Sequence, residues 1–248
     1  MDDHTVSGRT VAILDLVALS GVASLAALTE HTGIPRSTAY RLAEDLCRRG
    51  VLLKKDNLYR LGSRIVAWGC QAAASSELRQ AADPYVWDMY ERTGEFAWLY
   101  LVEGEDVHML ARSHGSLPGQ MASIPWPKGQ HRTALLLAAG GRAAVAGRPD
   151  LVEDLLAGGV PRTTPYAPRR HDQIREGMAR CRESGFAVEQ ECFAQGWGCV
   201  AAPISDPSGQ TCGVIGLTVR AGRLTPQRFS GRILGAAEAI AGRLRASA

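Results

Sequence analysis

No apolar run in the 248-residue chain approaches the ~18 residues that a membrane span needs; the longest candidate, from Thr133 to Gly141, stops at Arg142. A transmembrane helix is excluded and a soluble protein is expected. The opening residues Met1-Asp2-Asp3-His4 lack the positive and apolar segments of a secretory signal, which predicts a cytoplasmic protein. None of the six cysteines (Cys47, Cys70, Cys181, Cys192, Cys199, Cys212) forms a Cys-x-x-Cys pair. A disulfide framework and a structural zinc knuckle are therefore not expected, and reduced thiols are. There is no internal repeat and no low-complexity segment. Charge of one sign is also scarce: Lys plus Arg number 28 against 25 Asp plus Glu, a formal +3. So small a total is no sign of nucleic-acid binding, and any basic surface must be local. What is present is ordinary globular composition, 46% hydrophobic and 21% charged, which excludes disordered, collagenous and coiled-coil classes. At ~150 residues per domain the length falls between one domain and two, and two is the expectation.

Punctuation is clearest before Gly62. Ile13, Leu16 and Val17 recur at helical spacing and predict a helix over residues 6–19, stopped by Gly21. Ser24 suits the N-cap of a short second helix with Leu25 and Leu28 on one side, and Gly33 suits the left-handed residue that closes it. Pro35 is tolerated only in a first turn, so a third helix runs from there to about Arg49 and ends at Gly50. Ala39, Leu42, Ala43 and Leu46 fall on one face of this helix, with Ser37, Arg41, Glu44 and Arg48 opposite and Tyr40 flanking them. Apolar runs at residues 51–53 and 58–61 predict a β-hairpin with a charged tip, Lys54-Lys55-Asp56-Asn57. Helix, helix, turn, helix and hairpin together make a winged helix-turn-helix over residues 1–62.

Residues 63–76 are Ala-rich and predict a linker helix that breaks at Ser75-Ser76. A helix over 77–92 must accommodate Pro84, which predicts a kink. Strands are expected at 95–102 and 107–113 around Glu103-Gly104-Glu105-Asp106, with a third at 120–125. Helical patterns at 131–139, 150–157 and 172–184 precede strands at 186–192, 198–205 and 211–220; the last two are joined over Asp206-Pro207-Ser208-Gly209. A final helix runs from Thr225 or Pro226 to about Arg245 and carries Phe229, Ile233, Ala236, Ala237 and Ile240. Hairpins with helices between them predict an α+β domain over residues 77–248, not a doubly wound parallel sheet.

A helix-turn-helix lays its second motif helix in the major groove, with the N-terminal residues at base edges. Ser37, Thr38, Tyr40 and Arg41 occupy that place. Arg41 suits a bidentate pair to guanine, worth ~1–3 kcal/mol of discrimination. Ser37 and Thr38 suit phosphate at a helix start, and Arg36 suits backbone anchoring. Ser24, at the start of the second helix, joins this DNA-facing set. Lys54, Lys55 and Arg60 on the hairpin would hold phosphates as point charges without reading sequence. An ordinary solvated face on a unit that binds other proteins remains the alternative.

Several runs resemble the IclR family of bacterial transcriptional regulators: Gly33-Ile34-Pro35-Arg36-Ser37-Thr38-Ala39-Tyr40-Arg41-Leu42, Tyr59-Arg60-Leu61-Gly62, Gly185-Phe186-Ala187-Val188-Glu189-Gln190-Glu191, Gly198-Cys199-Val200-Ala201-Ala202-Pro203-Ile204 and Arg223-Leu224-Thr225. The likeness covers nearly the whole chain in order. It implies a winged helix-turn-helix, a linker helix and a GAF/PAS-like mixed sheet with helices. It further implies binding to double-stranded operator DNA as a homodimer or dimer of dimers, tuned by a small organic effector, with a carboxylate or an aromatic acid as candidates. No cofactor, metal or enzymatic activity is implied. Carried over residue by residue, the effector site is Ile124, Gln130, His131, Glu189, Cys199, Gly216 and Thr218. Gly216 and Thr218 share a strand face, with Gly216 leaving space. The family's His-Ala-x-x-x-Gly-Lys stretch is Gly129-Gln130-His131-Arg132-Thr133-Ala134 here, a departure. His131 and Arg132 favour an anionic effector if they point inward. Trp126, between two prolines, either lines the pocket or packs in a loop.

Each of these residues has a plainer reading. Cys199 suits a small buried hydrophobe. Glu189 suits an exposed pair with a surface arginine. Glu191, Cys192 and His131 carry zinc-compatible donors without ligand spacing. Two rival functions follow: a thiol-dependent small-molecule hydrolase or redox sensor, and an architectural DNA-binding protein that takes no effector.

Overall fold

The computed structural model describes residues 5–113 and 135–247. The chain divides into two compact units between Ala74 and Ser75. The first holds α1 (Val6–Ser20), β1 (Ala23–Ser24), α2 (Leu25–Thr32), α3 (Arg36–Arg48), β2 (Leu52–Lys55), β3 (Leu58–Leu61) and α4 (Ser63–Ala74). The Ser24 hydroxyl caps α2 by accepting the Ala27 N–H at 3.1 Å, and Gly33 closes that helix in the left-handed region. Ile13, Val17, Leu28, Ala39, Ala43 and Leu46 meet in one core against Leu52 and Tyr59 of the hairpin.

The hairpin differs from expectation in its tip. Asp56 and Asn57 alone make the turn, with φ of 51° and 60°. Two consecutive left-handed residues match the right-handed twist of the flanking strands, and Asp and Asn tolerate that conformation. Lys54 and Lys55 therefore belong to β2, paired with Tyr59 and Leu58. The two-residue β1 adds a third strand on the far side of β3.

The second unit holds α5 (Glu77–Thr93), β4 (Phe96–Glu103), β5 (Asp106–Arg112), α6 (Ala139–Val145), α7 (Pro149–Ala157), α8 (His171–Ser184), β6 (Ala187–Gln190), β7 (Trp197–Ser205), β8 (Thr211–Arg220), a 3-10 turn (Ala221–Arg223) and α9 (Pro226–Ser247). Helix α5 continues through Pro84. The strands form one sheet in the order β5-β4-β8-β7-β6, antiparallel at every ladder among the described residues. The fold is α+β.

Side-chain alternation makes this sheet two-faced. Ala97, Leu99, Val200, Ala202, Ile215 and Leu217 point to one side and pack with Met89 of α5 and Phe229, Ile233 and Ile240 of α9. Phe96, Trp98, Ala201 and Val214 point to the other and pack with α6, α7 and α8. The strand expected at 120–125 and most of the helix expected at 131–139 lie outside the described residues. Where it is described, that region differs from expectation: the helix begins at Ala139 and passes through Gly140-Gly141 to Val145, every residue buried.

Close packing explains why two glycines stand inside α6. A Cβ on Gly140 would lie 2.6 Å from Tyr100 Cε2 and 2.8 Å from Trp98 Cη2, and one on Gly141 would lie 2.5 Å from Leu135 Cα. Their low helix propensity is outweighed by an approach that no larger residue permits. Gly140→Ala is accordingly expected to destabilise the protein by ~1–3 kcal/mol through overpacking. Gly235→Ala, in α9 where a Cβ meets nothing within 4 Å, should stabilise it by ~0.5–1 kcal/mol. Urea midpoints that move in the same direction for both variants would remove the packing explanation.

Candidate functional site

Helix α3 presents two different faces. Ala39, Ala43 and Leu46 are buried, whereas Arg36, Ser37, Tyr40 and Arg41 are exposed and Thr38 is half-buried. Arg36 and Arg41 enter no ion pair among the described residues, nor do Lys55 and Arg60, which are exposed on the hairpin. The other cations are engaged. Asp45 takes Arg48 at 2.9 Å and Arg49 at 2.7 Å.

Lys54 does not stand as the free phosphate-binding charge that the hairpin pattern suggests. Its Nζ lies 2.6 Å from Glu44 Oε1 and sits over the Tyr40 and Tyr59 rings at 5.4 and 5.3 Å. The Tyr59 hydroxyl donates to the same Glu44 oxygen at 3.0 Å. The Lys54 bond, then that of Tyr59, holds the Glu44 carboxyl below its ordinary range, while Glu44 holds the Lys54 ammonium above its own. The cation is thus tied to the reading helix, and Glu44 is the functional neighbour that sequence reasoning left as a solvated acid. Ser24 is likewise occupied: its oxygen caps α2 and its backbone pairs with Leu58.

In the second unit, cross-strand register assembles the other candidate site. Glu189 stands opposite Cys199, and Cys199 opposite Thr218, so three strands contribute one polar row. The row beside it is Ala187, Ala201, Gly216 and Trp98. Between these rows and α6 lies a cavity of about 30 Å³ bordered by Trp98, Tyr100, Gly140, Glu189, Cys199 and Thr218, with Phe193 and Trp197 alongside.

The polar atoms around it are joined. Trp98 Nε1–H donates to Thr218 Oγ1 at 2.9 Å, and Cys199 Sγ lies 3.2 Å from the same oxygen. Glu189 is 4% exposed, and its Oε2 accepts the backbone N–H groups of Cys192 and Phe193 at 3.0 and 3.4 Å. This replaces the reading of Glu189 as half of an exposed ion pair. Burial raises its carboxyl above the ordinary glutamate range. Burial, then the Glu189 charge, pushes the Cys199 thiol well up, which disfavours the thiolate that a hydrolase would need.

Gly216 does not leave open space. A Cβ there would lie 2.5 Å from Trp98 Cη2, because the indole already covers it. Sequence reasoning also missed Arg142, 7% exposed within α6. Its Nε donates to the Leu136 carbonyl at 2.8 Å and its guanidinium also donates to the Val188 carbonyl at 3.2 Å. The available signal was a lone arginine in an apolar stretch. Ile124, Gln130 and His131, with Trp126 and Arg132, lie outside the described residues. Among the described residues, no three His, Cys, Asp or Glu side chains converge as a metal site, all six cysteines are unpaired, and no helix is long and apolar enough to cross a membrane.

A helix-turn-helix with a basic free face, carried on one chain with a sheet domain that encloses a polar-rimmed cavity, defines the class of DNA-binding regulators with a sensing domain. The chain matches the profile described as the IclR helix-turn-helix domain over residues 8–56, and that described as the bacterial transcriptional regulator IclR C-terminal over residues 70–245. It belongs to the IclR family of bacterial transcriptional regulators, DNA-binding proteins with a C-terminal effector-binding domain. It is 26% identical over 211 residues to the HTH-type transcriptional regulator RhmR of Escherichia coli (strain K12), covering 84% of this chain and 79% of that one. It is 25% identical over 213 residues to the Pca regulon regulatory protein of Pseudomonas putida, covering 85% and 72%. Among solved structures, a putative IclR transcriptional regulator from Silicibacter sp. TM1040 superposes with a TM-score of 0.80 at 23% identity, over 96% of both chains. An IclR homolog from Microbacterium hydrocarbonoxydans, complexed with 4-hydroxybenzoate, gives 0.78 at 20% identity over 98% and 100%.

The raised Glu189 carboxyl has a measurable consequence. The folded protein keeps this proton to higher pH than the unfolded chain, so this group's contribution to stability declines as pH rises from the ordinary glutamate range through the folded pKa. Glu189→Gln is expected to remove that decline, so that its stability relative to wild type improves between about pH 4 and about pH 7. Parallel urea titrations across that range test it, and identical pH slopes for the two proteins would contradict a buried, proton-retaining Glu189.

Proposed function

We propose that the protein acts as a homodimer or dimer of dimers that seats α3 of paired protomers in successive major grooves of an operator, and that a small organic effector in the cavity beneath α6 changes operator affinity. The observation that carries this reading is the division of α3 into a buried apolar face and a free face, with Arg36 and Arg41 unpaired at its N-terminal half. Arg41 reads a guanine edge, while Arg36, Ser37 and Thr38 hold phosphate and Tyr40 flanks them. Lys55 and Arg60 add backbone contacts from the hairpin. Lys54 fixes the hairpin to α3, and Ser24 sets the start of α2.

Self-association is supported by apolar side chains left in solvent on α1 (Val6, Val11, Leu19) and α4 (Val66, Trp68), α4 having no buried residue at all. A two-fold assembly would place half-sites about 34–36 Å apart or at a multiple. Effector control is linkage: the ligand shifts DNA affinity only as far as it prefers one conformation. Glu189, Cys199 and Thr218 are the effector contacts that the cavity supports. The 4-hydroxybenzoate held by the Microbacterium relative supports a carboxylate or aromatic acid as the ligand class. Such a protein works in the cytoplasm, at its operator, and turns nothing over; the buried Cys199 thiol, its pKa raised, weighs against thiol-dependent hydrolysis.

Binding to DNA from the gene's own upstream region tests the assignment. Arg41→Ala is expected to lose ~1–3 kcal/mol of discrimination at one base pair. Lys55→Ala should weaken binding to all sequences and reduce the salt slope by about 1. Lys54→Ala should change the slope far less, because Glu44 already neutralises that charge. Anisotropy titrations over a salt series give all three values. Intact operator discrimination in Arg41→Ala would sink the assignment of the reading helix.

A further inference from the structure

We propose that Trp98 sets the size limit of the effector site, its indole filling the space that a ring-shaped ligand would take, so that the wild-type protein admits only non-aromatic effectors of a few heavy atoms. This rests on reading the cavity as the effector site, and it narrows the ligand class to the smaller of the two candidates.

The argument begins with the row in which Trp98 lies. Arg112 stands opposite it on β5, but its companions on the other side, Gly216, Ala201 and Ala187, are all small, so the indole can fold flat across β8. On the opposite side stands Gly140 of α6. A Cβ on Gly216 would meet Trp98 Cη2 at 2.5 Å, and one on Gly140 would meet the same atom at 2.8 Å. The ring is thus held between two backbones that carry no side chain at the point of contact. Its edge is fixed by the 2.9 Å bond to Thr218 Oγ1 and its face by Tyr100, with centroids 4.5 Å apart. It is 2% exposed.

What remains beside it is about 30 Å³, room for a few water-sized atoms, whereas a cavity that binds benzene measures about 150 Å³. Removing the indole while leaving Gly140 and Gly216 in place would open a hole of a ring's shape. Thr218 Oγ1, which now accepts the indole N–H, would be left to accept from the ligand.

The test uses the full chain as wild type, Trp98→Phe and Trp98→Ala, with phenol, 4-hydroxybenzoate and indole as probes, followed by thermal shift and calorimetry. The wild type is expected to bind none of the three. Trp98→Phe should take up phenol, and Trp98→Ala all three, with indole restoring most of the melting temperature that the truncation removes and binding at least tenfold tighter than to wild type. A size limit that is the same in all three proteins, or wild-type uptake of indole as tight as that of Trp98→Ala, would overturn the proposal; should Trp98→Ala not fold, phenol binding by Trp98→Phe against wild type decides it. Operator affinity measured in the presence of bound indole separates the two ideas. Binding that leaves operator affinity unmoved upholds the size limit and removes the effector-site reading, whereas absence of binding removes the size limit.

Discussion

The second unit depends on one close approach, that of α6 to the sheet across the Trp98 indole. Every residue of α6 is buried, and Gly140 is what permits the helix to reach Trp98 and Tyr100. Burying a whole helix also buries Arg142, an expensive cation unless it is hydrogen-bonded. The backbone supplies those bonds, through the Leu136 and Val188 carbonyls. Glu189 is satisfied in the same manner, by the Cys192 and Phe193 N–H groups. The two buried ionisable groups nearest the cavity are thus each held by main chain, and Glu189 borders the void together with the Cys199 and Thr218 side chains.

The two faces of the sheet have different duties, and β4 joins them. Its Ala97 and Leu99 belong to the apolar layer under α5 and α9, while Trp98, between them, belongs to the cavity side. The apolar layer is continuous, with the buried Glu95 paired to Arg223 at its edge, and it is suited to rigidity. The cavity side combines small residues, stacked rings and a hydroxyl-thiol contact, which suits the recognition of different occupants. A change in how Trp98 packs is a change in β4, the strand on which α5 rests. Helix α5 follows α4 directly in the chain.

Much of this was legible in the residues, because the signals were local. The apolar spacing of Ala39, Ala43 and Leu46, the cap at Ser24 and the left-handed Gly33 depend on neighbours within a few positions, and they place α2 and α3 closely. Period-two alternation likewise put Gly216 and Thr218 on one face. Long-range facts were not legible. The bond from Lys54 to Glu44 needs the distance between a strand and a helix, and the indole over Gly216 needs the register of β4 against β8. Gly140-Gly141 reads as a stop under helix propensity alone, and only the approach of Trp98 and Tyr100 to Gly140 and of the Leu135 backbone to Gly141 turns it into a requirement of the helix. Asp56-Asn57 was a readable turn signal, masked by the two lysines before it, which resemble an exposed tip.

The modest formal charge of +3 conceals an uneven distribution that the structure resolves. From Pro35 to Gly50 the acids are Glu44 and Asp45, both in the C-terminal half of α3. Asp45 is consumed by Arg48 and Arg49, and Glu44 by Lys54. Each acid therefore neutralises cations at the far end of the helix or on the hairpin, and none is left to oppose Arg36 and Arg41. The N-terminal end keeps its positive charge uncompensated where helix-turn-helix proteins place base and phosphate contacts. That end of the helix also carries the positive pole of its dipole, which adds to the attraction for phosphate. A chain nearly neutral as a whole thus presents a strongly polarised helix, with its holding contacts internal and its reading contacts free.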